Sequence, residues 1–314
     1  MNDKVAVIVT VYNKELYIKK CLKSLSNQTY KNIEVIVIND GSTDNSGEII
    51  KKFCKSNATF KYLYKKNQGV SSARNYGLKY VNSKYLTFID GDDYVAPDFI
   101  QKLVEYKNYD LVVCGYRQII KNKIKKEIIP ENKDINSKDY QKYIFNKINF
   151  QFMCVCWGKL YKTEIIKKYN LIFDDLPIGE DTIFVFNYVS HCKKIRSIKY
   201  IGYNDSIIEG SLSHKSIKNL SYYNHLIIES GNKVFHYKYN KSWNFLFIRS
   251  IKIELSNSKS NKKSFYRECK NIVNDKDFKE INVKLIDDVK SMLIVQLLRY
   301  RCFKILFVIF NVYS

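Results

Sequence analysis

Three acidic turns stand where strands are expected to end, and they are the residues best suited to chemistry. Asp90-Gly-Asp92, followed by Asp93, comes after the apolar run Tyr85 to Ile89. Asp40-Gly41 follows Ile33 to Ile38, and Glu180 with Asp181 follows Gly179 at the start of a predicted helix. Carboxylates two positions apart repel and raise each other's pKa unless a cation sits between them. Mg²⁺ and Mn²⁺ prefer oxygen ligands, and one or two carboxylates plus substrate phosphates make a common Mg²⁺ site. Such a metal would offset charge growing on a departing diphosphate. The bland alternatives are ordinary turns and acids placed at the positive end of a helix.

These turns need a scaffold, and the chain supplies one. Val5 to Val9, Ile33 to Ile38, Phe60 to Tyr64, Tyr85 to Ile89 and Leu111 to Cys114 read as strands, several of them buried on both faces. Helical spacing falls between them, over Glu15 to Ser26, Thr43 to Cys54, Ser71 to Val81 and Asp98 to Tyr106, with Ser42 or Asp44 available to cap the second helix. This alternation predicts an α/β fold, a mostly parallel sheet with helices on both faces. Ligands on such sheets bind beyond the carboxyl ends of the strands. Thr10-Val-Tyr-Asn13, Asn39-Asp40 and Asp90 to Asp93 would then share one polar edge.

Past Gly115 the rhythm changes. Lys121 to Glu127 reads as a hairpin or loop, Trp157 to Tyr161 as the approach to a helix near Thr163, and Ile195 to Tyr200 as a strand. From Ile217 the pattern is mainly helical. The expected division is 1–115 and 116–215 as two halves of one catalytic domain, then a helical extension over 216–314.

The four segments Val7-Ile-Val-Thr-Val-Tyr-Asn-Lys14, Ile36-Val-Ile-Asn-Asp-Gly-Ser-Thr-Asp44, Asn67-Gln-Gly-Val-Ser-Ser-Ala-Arg-Asn75 and Phe88-Ile-Asp-Gly-Asp-Asp93 are similar to the nucleotide-sugar half of family 2 glycosyltransferases. Trp157-Gly-Lys-Leu-Tyr161 and Gly179-Glu-Asp181 continue the likeness, which fades beyond about residue 215. The resemblance implies a GT-A fold and an inverting enzyme that moves a sugar from a UDP-sugar to a glycan or lipid-linked acceptor. It implies nucleoside contacts at Thr10, Tyr12 and Asp40, with Asp40 facing the uracil. Further donor contacts would be Lys14, Arg74, Asp90 and Gly91. Asp92 would hold Mn²⁺ or Mg²⁺, with Asp93 and His214 as added metal-side candidates. Asp181 would be the catalytic base, and Trp157 and Glu180 would face the acceptor.

The net charge is +22. It is uneven, with 17 basic and 12 acidic side chains over 1–110 against 36 and 19 over 111–314. A basic C-terminal half points to a polyanionic neighbour or to a solvated lysine-rich surface. The stretch Met292 to Phe310, aromatic and apolar with Arg299, Arg301 and Lys304 set into it, suits contact with an anionic membrane surface. The acidic strand ends argue against a nucleic acid in the main cleft. A sugar-nucleotide pyrophosphorylase would need a glycine-rich basic loop after the first strand, where Thr-Val-Tyr-Asn-Lys stands instead. A scaffold without activity fits poorly with Asp92 and Asp181 in place. The eight cysteines lack metal-site spacing and read as reduced, mostly buried thiols. Neither a leader sequence nor a run of about 18 apolar residues is evident. The expected location is therefore cytoplasmic, peripheral at the inner face of the membrane.

Overall fold

The strand β1 (Val5–Val11) is buried along its whole length. Its apolar, β-branched residues suit the centre of a sheet covered on both faces. It pairs in parallel with β2 (Ile33–Asp40) and β4 (Tyr85–Asp90), and β2 pairs with β3 (Phe60–Lys65). The register brings the strand ends together. Val11 faces Asn39, Thr10 faces Asp90, and Asp40 faces Lys65. The helices between these strands are α1 (Ile18–Ser26), α2 (Ser46–Lys55) and α3 (Val70–Leu78). Gly77 lets α3 approach the sheet, because a Cβ there would lie 2.9 Å from Ile38 and 3.0 Å from Ile8.

A short strand β5 (Tyr94–Val95) and α4 (Phe99–Val104) precede β6 (Leu111–Ile120). β6 turns through Lys121 and Asn122, at φ 47° and 63°, into β7 (Lys123–Ile128). Positive φ at both central residues is the hairpin geometry that matches strand twist, so the basic stretch is a hairpin. Next come β8 (Lys133–Asn136), α5 (Tyr140–Ile144), α6 (Asn149–Met153), β9 (Lys159–Lys162), α7 (Thr163–Lys168), α8 (Glu180–Val189) and β10 (Lys194–Ser206). The main strand order is β3-β2-β1-β4-β9-β6-β10-β5, with β7 beside β6 and β8 beside β10.

β9 differs from the sequence expectation. Trp157 to Tyr161 is not merely the approach to a helix, since it includes most of a strand that lies antiparallel between β4 and β6. Two of its four residues are lysines. That hides a central strand from any pattern of apolar residues.

The computed structural model describes residues 3–136, 139–144, 149–208, 220–235, 241–286 and 288–312. The chain forms two compact units, Met1–Ser211 and Leu212–Ser314. The second is helical, with α9 (Leu220–Phe235), α10 (Lys241–Ser258), α11 (Lys262–Asn274), α12 (Lys276–Glu280), a 3₁₀ turn at Val283–Leu285, α13 (Val289–Arg299) and α14 (Phe303–Val312). Leu255, Phe265, Cys269, Leu298 and Leu306 lie in its core. On α14, Leu306 and Phe310 face inward while Ile305, Val308 and Val312 are exposed, Val308 to 56%. No helix among the described residues is long and apolar enough to cross a membrane.

Candidate active site

The loops after β1 and β2 are laced into one wall. Asn13, at φ 51°, donates its N–H to Ser42 Oγ and accepts from Thr43 N. Lys14 N donates to Ser46 Oγ, and Asp44 accepts from the N–H groups of Glu15 and Ser46. Beneath this wall Asp40 is buried. It accepts from Lys65 Nζ at 2.6 Å, Gln68 N at 3.2 Å and Gly69 N at 2.9 Å. Gly41 sits at φ +69°, and a Cβ there would lie 2.6 Å from Asn67 N, so glycine is required on both counts. Tyr12 is 45% exposed, which leaves its ring available for stacking.

The acidic turn at the end of β4 is held against β1. Gly91 N donates to Thr10 O, and a Cβ on Gly91 would meet that oxygen at 2.9 Å. Thr10 Oγ1 lies 3.4 Å from Asp90 Oδ1. Asp92 pairs with Lys14 Nζ at 2.5 Å. Burial raises the Asp92 pKa, Lys14 opposes that rise, and Asp90 adds to it. A buried carboxylate of this kind gains from a cation beside it.

Asp93 has other work. One of its oxygens accepts from Tyr203 Oη at 2.6 Å and the other from Ser206 N at 2.7 Å. Burial, together with Asp92, Asp205 and Asp90, raises its pKa well above the usual carboxylate range. Both oxygens are engaged in tying the acidic turn to β10. The expectation of Asp93 beside a metal is neither met nor opposed by these bonds, since each oxygen keeps a second lone pair.

Arg74, on α3, is 3% exposed and joins three carboxylates. Nη2 donates to Asp90 at 3.0 Å, while Nη1 donates to Asp181 at 2.5 Å and Glu180 at 3.2 Å. Burial opposes its charge, and Asp181, Asp90 and Glu180 more than offset that, so its pKa rises. The guanidinium fork thus bridges Asp90 at the end of β4 and the two acids at the start of α8, beside the place where a donor contact was expected of it. Glu180 is pushed up to about 7, by burial first and by Asp181 second, with Arg74 opposing. Gly179, at φ 89°, turns the chain into α8 so that both acids stand at the helix start.

Asp181 Oδ2 also accepts from Cys156 N at 3.2 Å. The loop that supplies this N–H is fixed by two residues that sequence reasoning left without a role. Lys159 is fully buried, and its ammonium donates to the carbonyls of Phe152 and Val155, both at 2.5 Å. Burial lowers its pKa to about 8. Tyr161 Oη donates to Cys156 O at 2.7 Å. The only sequence signal was a lysine and a tyrosine inside a segment quoted for its family likeness.

Trp157, expected to face the acceptor, is buried, with its ring stacked on Tyr203 at 4.3 Å and edge-on to Tyr116 at 4.8 Å. A covered ring face cannot serve as an open platform, so the indole supports Tyr203, which in turn accepts from Asp90 N. His214 lies outside the described residues. The structure thus brings together Thr10, Lys14, Arg74, Asp90, Gly91, Asp92, Glu180 and Asp181 at the strand ends, with Asp40 and Tyr12 on the flanking wall.

A mostly parallel sheet flanked by helices, with a helical region after it, is the GT-A fold. Residues 6–169 match the description "Glycosyl transferase family 2", and the chain belongs to that family. It is 36% identical over 232 residues to glycosyltransferase GlyA of Streptococcus pneumoniae, an alignment covering 68% of this chain and 32% of GlyA. It is 32% identical over 249 residues to the minor teichoic acid biosynthesis protein GgaB of Bacillus subtilis, covering 73% of this chain and 26% of GgaB. The chain therefore spans about a third and about a quarter of these relatives. Among solved structures, TarS 1-349 of S. aureus in complex with UDP-GlcNAc superposes with a TM-score of 0.69 at 18% identity, covering 99% of this chain and 91% of that one.

Proposed function

We propose that the chain transfers a sugar, with inversion, from a UDP-sugar to a glycan or lipid-linked acceptor in cell-surface polysaccharide synthesis. The observation that carries this reading is the single guanidinium of Arg74 bonded to both Asp90 and Asp181. It ties a donor-side carboxylate at the end of β4 to a carboxylate suited to act as base. Asp181 takes the proton from the acceptor hydroxyl as its oxygen attacks the anomeric carbon and UDP departs. Arg74 and Cys156 N hold Asp181 in one orientation while leaving it lone pairs for that proton. The UDP-GlcNAc bound in the TarS complex and the teichoic acid role in the name of GgaB support the donor and the pathway class.

Asp92 fits a divalent cation as one carboxylate ligand, its buried charge being offset only in part by Lys14. Mn²⁺ or Mg²⁺, completed by donor phosphate oxygens, would neutralise charge on the leaving diphosphate. Lys14 lies where it can share that task. The exposed Ile305, Val308 and Val312 of α14, with Arg301 and Lys304 beside them, support peripheral contact with an anionic membrane at its inner face.

Calorimetry with UDP, with Mn²⁺ and with chelator, tests the donor and metal, and equal affinity in both removes the metal. Asp181→Asn is expected to leave UDP affinity unchanged and to lower transfer by roughly 10²–10⁴. Unchanged turnover would remove Asp181 as the base.

A further inference from the structure

Beside the Arg74 cluster a groove of about 390 Å³ runs along α3. That volume lies within the range of roughly 300–1,000 Å³ typical of ligand clefts. Gln68, Ser72, Asn75, Tyr76 and Lys79 recur at the spacing of one helical face and form one wall. Phe173 and Asp175 form the other, in the segment that leads into Glu180 and Asp181. The walls are held at a fixed distance. Asn75 Nδ2 donates to Phe173 O and Asn75 Oδ1 accepts from Phe173 N, each at 2.8 Å. The neighbouring residue on the same helix, Arg74, holds the proposed base. One pair of consecutive residues therefore fixes both the groove and the carboxylate cluster.

The lining defines what would fit. It offers the Gln68 amide, hydroxyls, the half-buried Tyr76 ring, one ammonium and one carboxylate, while Phe173, buried and stacked on Phe184 at 4.0 Å, shapes the wall without an open ring face. Lys65 also borders the groove, but its charge is met by Asp40 at 2.6 Å. Lys79 and Asp175 bring one charge of each sign to the lining, so no cationic excess favours a polyanion. Ser71 borders the groove too, is 3% exposed, and its hydroxyl has no hydrogen-bond partner among the described residues. Amide and hydroxyl side chains both donate and accept, as sugar hydroxyls do, and a ring face packs against apolar C–H surface. A neutral, polyhydroxylated chain satisfies this set.

We propose that the groove is a subsite for the neutral glycan chain of the acceptor, distinct from the donor pocket. This rests on the transfer reading given above. Chain binding along α3 would bring the growing end toward Asp181 without using any donor contact.

The test uses the full chain and named probes, namely the tetrasaccharides of glucose, galactose, mannose and N-acetylglucosamine, together with poly(ribitol phosphate). Saturation-transfer NMR reads carbohydrate binding and calorimetry reads UDP binding. At least one tetrasaccharide is expected to bind. Ser72→Tyr, which fills the groove, is expected to weaken it by about tenfold or more, the loss of one well-made contact, while UDP affinity stays unchanged. Tyr76→Ser, which removes the aromatic ring of the lining, serves as a second variant, and an unchanged far-UV circular dichroism spectrum and melting curve certify the fold of each. The proposal is overturned if no tetrasaccharide binds, if binding ignores both variants, if poly(ribitol phosphate) alone binds, or if folded variants lose UDP instead. UDP binding without glycan binding would sink this subsite and leave the transfer reading intact. Glycan binding lost in Ser72→Tyr, in a protein that never binds UDP, would do the reverse.

Discussion

Replacing Glu180 by Gln is expected to make the protein more stable at neutral and alkaline pH, although it removes a charge paired with Arg74. Burial and Asp181 hold the Glu180 proton up to about pH 7, against an ordinary value of 4.5. A folded-state pKa above the unfolded one contributes stability that is complete below the unfolded value and is lost as pH rises through the folded value. The wild type therefore loses stability between about pH 4.5 and 7. At ~1.4 kcal/mol for each pH unit of the gap, the loss reaches about 3 kcal/mol by pH 8. Glutamine cannot ionise, keeps the shape, and can still accept from Arg74 Nη1, so its stability curve lacks this fall. The two proteins should match near pH 4.5 and diverge upward, with the variant melting roughly 6–12 °C higher at pH 8 for a unit of this size. Urea unfolding in a Trp243→Phe background, where Trp157 alone reports on the first unit, measures the difference from pH 4.5 to 9. A difference that does not change with pH, or a variant less stable throughout, would refute the argument. The second outcome would mean that the Glu180–Arg74 charge pairing outweighs the cost of burial. Lower transfer by the stabilised variant would mark Glu180 as a group kept for function at a cost in stability.

Lys159→Met is expected to cost about 2–5 kcal/mol, because buried carbonyls of Phe152 and Val155 lose their donor. Its effect on transfer should exceed its effect on UDP affinity, since the loop it holds orients Asp181 and not the donor wall. Equal losses in both would place Lys159 in the donor site. For the C-terminal surface, Ile305→Asp with Val308→Asp should abolish sedimentation with phosphatidylglycerol vesicles and leave UDP affinity intact. Binding that survives the pair removes α14 as the contact.

The polar edge at the ends of β1, β2 and β4 was legible in sequence because parallel strands with continuous apolar runs have little choice of register. Once Val5 to Val11, Ile33 to Asp40 and Tyr85 to Asp90 pair side by side, Thr10, Asp40 and Asp90 must share an edge. The turn glycines could be read for the same reason, as Gly41 and Gly91 stand where a Cβ would strike the adjoining loop or strand. The far side of the site was less legible. A lysine in sequence reads as surface, and nothing local shows that Lys159 is surrounded by carbonyls in a strand placed between β4 and β6. Asp93 and Tyr203 meet from 110 positions apart, beyond the reach of any spacing argument.

Arg74 shows most directly why residue type alone does not reveal a side chain's partners. Near an expected diphosphate, an arginine reads as a phosphate ligand, and that reading is chemically sound. The structure adds Asp90, Glu180 and Asp181, brought to it from 16, 106 and 107 positions away. Three carboxylates in one partly buried place repel, and at least one would take a proton unless a fixed cation stood among them. Glu180 already sits at that limit, at about 7. In the proposed role Asp181 accepts a proton on a carboxylate whose Oδ1 already receives the Arg74 hydrogen bond at 2.5 Å. Release of that bond as the acceptor hydroxyl arrives would free Oδ1 for the proton. The buried guanidinium has two other carboxylates to which that hydrogen bond can move, and Glu180 is the nearer substitute because it shares Nη1 with Asp181.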